Sequence, residues 1–337
     1  MGIHRAIFSF LAGPALAAGI IAGPDVTMAR AQDREESFKN LHVLPEGISR
    51  RELNRAMLGN LRGLGLPRRQ NQGCLFCHVG DMEQPSRDWD YASDEKATKR
   101  KARVMMAMVA EINNRHLAEL DDRVAPDLRV TCYTCHAGRT DPRPLPAVLM
   151  ASYEVGGIDS AITRYHALRA RYFGGDAYDF RVGVLAGLAT QFANNGSYDD
   201  ALALAATNAE VFPDDPRARG TWILVGLERT LQEEGVPSAL AEYDRVKTGE
   251  YAAIVTAGML DALGWRLSRR DRHDDAIEVF RKNFAEYPDQ YVPNESLADA
   301  LNIAGDRDTA IRMFEDWLRR NPDHAMARRR LTNLRGS

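Results

Sequence analysis

Apolar residues recur along this chain at helical spacing. Leu53, Met57, Leu61 and Leu64 lie three or four residues apart and so share one helix face. Ser49-Arg50-Arg51-Glu52 before them reads as a capping box, Ile48 is placed to staple onto Leu53, and Gly63, Gly65 and Pro67 close the helix. A second helix is predicted from a cap at Ser93-Asp94 through Lys101 to about Leu120, stopped before Pro126. Its apolar face holds Met105, Met108 and Ile112, with Met106 turned away from them. After the proline-rich stretch 140–146, the expected domain boundary, the pattern turns helical and repetitive. Ala276-Ile277 recurs as Ala310-Ile311, and Tyr287-Pro288 as Asn321-Pro322, each 34 residues later.

That period is the tetratricopeptide repeat length. Leu260, Leu263, Gly264, Leu267, Ala276, Phe280 and Pro288 make one copy; Asn294, Leu297, Ala298, Leu301, Ala310, Phe314, Trp317 and Pro322 make the next. An earlier copy reads Leu185, Leu188, Ala189, Phe192, Ala201 and Pro213, residues 220–251 form a degenerate one, and 158–172 a leading helix. Each helix pair leaves an apolar face that only a stacked neighbour covers. The concave face of such a stack either docks a protein partner or packs as a spacer. The fold class expected is mainly α, an N-terminal helical domain followed by an α-solenoid.

Composition changes this picture little. With 337 residues, 45% hydrophobic and 27% charged, the chain supports two soluble domains. A net charge of −3 gives no reason to expect nucleic acid as a partner. The N-terminus adds more: His4 and Arg5 precede an almost wholly apolar run over 6–22, and Ala29-Arg30-Ala31 offers a small-x-small cleavage site. This is a secretory signal layout, cut after Ala31. Uncut, the run is instead an anchor in the inner membrane, although Ser9, Gly13-Pro14 and Gly19 interrupt it. Both readings send the rest to the periplasm. The expected division is 1–31 signal or anchor, 32–146 first helical domain and 147–337 repeat domain.

The chemistry lies in the cysteines. All four fall in Cys74-Leu75-Phe76-Cys77-His78 and Cys132-Tyr133-Thr134-Cys135-His136. Each is a C-x-x-C-H, the c-type haem attachment signature: two thiols for the vinyl groups, then an imidazole for the iron. A zinc site built from all four thiolates, redox pairs or two disulfides would use the same cysteines. None of these needs a histidine directly after the second cysteine, yet that occurs twice in a chain with eight histidines. Met57, mid-helix, is either a second iron ligand or a core filler. The order helix with methionine, loop, C-x-x-C-H then recurs, which favours the ligand role.

Residues from about 40 to 138 resemble the cytochrome c subunit of photosynthetic reaction centres. The resemblance rests on Arg51-Glu52-Leu53 through Met57, Gly73-Cys74 to His78, Lys101-Ala102-Arg103-Val104-Met105, Ile112-Asn113, and Val130-Thr131-Cys132 to His136, under a third of the chain. It implies two covalently bound haem c groups, with Met57 opposite His78 and Met105, or Met108 in its stead, opposite His136. Well-known members bind four haems, whereas two attachment motifs occur here. His116 and His42 are therefore expected to be surface or packing residues. Arg103, Arg129, Arg139 and Arg143 are available to haem propionates, with none assigned.

Two irons closed on both faces leave no open position for oxygen or peroxide, so the chain reads as an electron carrier and not an enzyme. Methionine opposite histidine favours the ferrous state and a higher potential. The expected path runs from a soluble donor to a membrane-bound redox complex such as the photo-oxidised reaction centre. The alternatives are a stand-alone or respiratory carrier, a di-haem peroxidase-like enzyme, or a scaffold whose repeats matter more than its haems. No nucleophile–base pair or phosphate-binding glycine loop is present. Arg328, Arg329, Arg330 and Arg335 form a basic C-terminal helix, read as solvated.

Overall fold

Ser49 and Glu52 start the first helix, α1 (Arg50–Gly63), by exchanging bonds: the Glu52 carboxylate accepts from the Ser49 backbone at 3.0 Å and its hydroxyl at 2.7 Å, and the Glu52 N–H donates back to Ser49 Oγ at 3.3 Å. Gly65, at φ 64°, ends it, with the Leu66 N–H returning to the Leu61 carbonyl at 2.9 Å. This computed structural model describes residues 38–120 and 128–336, so the expected signal or anchor segment and Pro126 lie outside the described residues. The described residues are helical, with one isolated antiparallel bridge between Val79 and Asp90. They divide into two compact units, 38–59 with 68–120, and 60–67 with 128–336.

In the first unit a 3-10 segment, Arg69–Phe76, precedes α2 (Ala97–Glu111), which widens into a π-type turn over Ile112–His116. The predicted cap is not used. α2 starts three residues beyond Asp94, whose carboxylate takes Arg103 at 2.5 Å and Lys99 at 3.4 Å. These bonds, Arg103 first, hold the Asp94 carboxyl well below the usual carboxylate range.

In the second unit α3 (Cys132–His136) is followed by α4 (Leu145–Tyr172), broken where Gly157 takes φ 68°. The helix begins inside the expected connector because Pro144 and Pro146 sit at its cap and first turn, where a missing N–H costs nothing. Its second half is the leading helix predicted over 158–172. Then come α5 (Gly183–Asn194), α6 (Tyr198–Val211), α7 (Pro216–Glu234), α8 (Val236–Thr248), α9 (Ala257–Ser268), α10 (His273–Glu286), α11 (Tyr291–Ile303), α12 (Arg307–Arg320) and α13 (Ala325–Gly336). The helices α9, α11 and α13 start at 257, 291 and 325, and α10 and α12 at 273 and 307, each step being 34 residues.

The repeat's small position explains this register. A Cβ at Gly264 would lie 2.5 Å from the Phe280 ring, which is fully buried in the core. One repeat later Ala298 and Phe314 hold the same places, fully buried. Gly264→Val is therefore expected to destabilise the protein by about 1–3 kcal/mol through overpacking. A thermal unfolding midpoint equal to the wild type's would refute this packing account. No helix among the described residues is long and apolar enough to cross a membrane.

Candidate functional site

The first C-x-x-C-H is wound into a single turn: the N–H groups of Cys77 and His78 both donate to the Cys74 carbonyl, at 3.1 and 2.9 Å. Gln70 and Asn71 take left-handed conformations ahead of it, φ 51° and 59°, so the segment turns sharply before Cys74. Two side chains from the start of α2 hold the turn from outside: Lys96 Nζ donates to the Leu75 carbonyl and Thr98 Oγ1 to that of Phe76. His78 Nδ1 lies 3.1 Å from the Tyr91 carbonyl, and its ring meets the Tyr91 ring edge-on at 5.0 Å. A carbonyl only accepts, so Nδ1 carries the proton and Nε2 keeps its lone pair for a metal. Burial, reinforced by the Lys99 ammonium, holds the His78 imidazole below its usual range, which keeps it neutral.

Tyr91 is positioned by the loop between. Trp89 is buried and donates from Nε1 to the Asp81 carbonyl at 2.8 Å, while a Cβ at Gly80 would strike its ring at 2.4 Å. Under this loop lies Lys99, 8% exposed, with Nζ 2.8, 2.9 and 2.8 Å from the carbonyls of Tyr91, Ala92 and Ser93.

The second C-x-x-C-H forms α3. Thr134 Oγ1 accepts from the Thr131 N–H at 2.9 Å, and Ala137, at φ 46°, ends the turn. His136 is 8% exposed, and its Nδ1 is 2.8 Å from the Arg139 carbonyl, again leaving Nε2 as the lone-pair nitrogen. The Arg139 side chain locks the loop, donating to the carbonyls of His136 at 3.0 Å and Arg143 at 2.9 Å, with its guanidinium 4.3 Å from the Tyr178 ring centre. The end of α1 packs against this turn. Gly138 N–H donates to the Gly63 carbonyl at 3.0 Å, and Cβ atoms at Gly63 and Gly65 would fall 2.6 Å from Cys132 Cβ and 1.9 Å from the Gly138 oxygen. Only glycine permits that approach.

All four cysteines are free thiols. Burial pushes the Cys74, Cys77 and Cys132 thiols up, so they stay S–H. Among the described residues no three His, Cys, Asp or Glu side chains gather to hold a metal. Thioether formation instead adds S–H across a vinyl double bond. The donor set of each turn, two thiols and one imidazole with Nε2 free, therefore fits haem c.

Met57 is half-buried, but Met105 and Met108 are 42% and 47% exposed, beside the exposed Val104. The buried face of α2 is instead the row Lys99, Arg103 and Met106, because two long cations at helical spacing anchor the loop from Tyr91 to Asp94. His42 and His116 are exposed, and of the four candidate propionate partners Arg103, Arg139 and Arg143 already serve Asp94, local carbonyls and Asp141. Sequence reasoning passed over Lys99 and the Tyr91 and Arg139 carbonyls.

Residues 17–155 match the family of the photosynthetic reaction centre cytochrome C subunit. The N-terminal region of this chain resembles that subunit. The cytochrome-like region spans both attachment motifs and stops at the α4 break beside Gly156. Solved structures similar to the chain include TTC0263, a thermophilic TPR protein of Thermus thermophilus (18% identity, 56% of this chain and 96% of that one, TM-score 0.28). MamA is similar at 20% identity over 53% and 97%, TM-score 0.27, and the P58(IPK) TPR domain at 14% over 84% and 78%, TM-score 0.23. The repeat assignment rests on the 34-residue helix register of this chain itself. No curated protein matches the sequence.

Proposed function

We propose that this chain is an exported electron carrier with two c-type haems. The observation that carries the reading is shared by both attachment turns: each histidine gives its Nδ1 proton to a backbone carbonyl and keeps Nε2 for iron. Cys74 and Cys77 would hold one haem and Cys132 and Cys135 the other, with His78 and His136 as iron ligands. Met57 and Met105 are proposed as the second ligands, Met108 standing in for Met105, on the strength of the repeated sequence order. Bound haem would supply an iron that takes up and releases one electron. The protein's part would be to fix each imidazole, supply the second ligand and set the potential.

The proposed path runs in the periplasm from a soluble donor to a membrane-bound acceptor such as the photo-oxidised reaction centre. The likeness of residues 17–155 to that complex's cytochrome subunit supports the acceptor. Docking through the helical repeats is supported by a cleft of about 440 Å³ between α10, α11 and α12. Arg281, Arg319 and Arg320 outnumber Asp316 along it, and the buried Asn294 amide has no acceptor. These features suit an acidic segment of a partner.

The test is the reduced alkaline pyridine spectrum of purified protein together with its protein concentration. Two c-type haems per chain are expected; a colourless or zinc-loaded protein overturns the reading. Carbon monoxide binding to an untreated ferrous iron would shift it from carrier to peroxidase-type enzyme.

A further inference from the structure

We propose that Lys99 sets the potential of the first attachment site by drawing on the carbonyl that orients His78. The inference rests on the haem reading above. The Tyr91 oxygen receives two donors at once, His78 Nδ1 at 3.1 Å and Lys99 Nζ at 2.8 Å. An ammonium bonded to a carbonyl pulls electron density from it, so less is left to polarise the Nδ1–H bond. The imidazole then has less imidazolate character and is a weaker donor through Nε2. Ferric iron, carrying one more positive charge than ferrous, loses more by this, so the ferrous form is favoured.

The charge itself acts in the same direction. Lys99 is buried, its remaining bonds go to the neutral carbonyls of Ala92 and Ser93, and its carboxylate partner Asp94 stands at 3.4 Å. Asp94 is shared with Arg103 at 2.5 Å, so two cations face one carboxylate. The surplus positive charge opposes a further positive charge on the iron.

The second turn supplies an internal contrast. It too holds a buried cation, but the Arg139 guanidinium donates to the carbonyls of His136 and Arg143, and neither of these is the carbonyl that accepts from His136 Nδ1. The histidine bond there is shorter, 2.8 Å against 3.1 Å. Lys99 is thus a positioning and tuning residue specific to one of two otherwise parallel sites.

The test is a potentiometric titration of full-length protein already shown by its pyridine spectrum to carry two haems. The haems are told apart with a variant lacking Cys74 and Cys77. Lys99→Met keeps the stem and removes the charge. It should lower the first midpoint by enough to change the ferrous-to-ferric ratio about tenfold at fixed potential, about 59 mV for one electron, and leave the second unmoved. Lys99→Arg should hold the midpoint near the wild-type value. Asp94→Asn, which removes the shared carboxylate, should raise the same midpoint and keeps the proposal testable where Lys99→Met loads poorly. Unchanged midpoints in both Lys99→Met and Asp94→Asn, or an equal fall in Lys99→Arg, overturn the role of Lys99 while leaving the two-haem reading intact. Wild-type protein without haem defeats the reading itself.

Discussion

Replacing Cys74 and Cys77 together by alanine should leave one haem per chain and halve the reduced pyridine absorbance. His78 and the proposed ligand Met57 would then be the only tethers, and without thioethers this haem is expected to be lost on purification. The second turn is kept by bonds the first does not share: Thr131 with Thr134, His136 with Arg139, and Gly138 with the end of α1. The two turns also belong to different compact units. The variant should therefore remain folded and coloured, and the matching Cys132 and Cys135 double variant should lose the other half. Retention of two haems, or loss of both, would contradict independent attachment.

The largest stability effect is expected in the repeats, at Arg266. Its partner Glu228 is 1% exposed, and the second carboxylate oxygen, Oε1, has no hydrogen bond. Burial pushes the Glu228 carboxyl up to about 7 even with Arg266, Arg270 and Arg269 opposing it. Arg266→Met takes away the bonded cation and strands a buried charge, at a cost of about 3–5 kcal/mol near pH 8.

The pH dependence has a definite sign. A carboxyl whose folded value lies above its unfolded 4.5 takes up a proton on folding in the interval between. Stability contributed by Glu228 is therefore highest below about 4.5 and declines as pH rises toward about 7. In Arg266→Met the folded value climbs further, so acidification from pH 8 to 6 should restore part of the loss. Glu228→Gln should flatten that slope. Urea midpoints measured across this range provide the check. Should Arg266→Met unfold at the wild-type midpoint, or lose ground on acidification to pH 6, the buried pair does not carry this weight.

Some of the site was legible before folding was considered. The C-x-x-C-H turns are local chemistry, because a short run of neighbouring backbone places thiol, thiol and imidazole in one helical turn. The α1 capping box was equally readable, since Ser49 and Glu52 need only each other. Where the partners were distant the reading failed. Asp94 looked like a helix cap but is claimed by Lys99 and Arg103, one and two turns along α2. With that polar anchoring on one side of α2, Met105 and Met108 lie on the more exposed side.

By itself, the sequence determined which thiols and imidazoles stand together in each C-x-x-C-H turn and how often the repeat helices recur. Thiol spacing and the 34-residue stacking period are short-range rules that any fold of this chain must obey. Only the tertiary structure decided which carbonyls, Tyr91 and Arg139, orient the two imidazoles, and that Lys99 is buried against one of them. Every residue carries a carbonyl, so none is distinguished along the chain. The choice is made by the loop that closes over each histidine, and a lysine goes inside there because three converging oxygens replace its water.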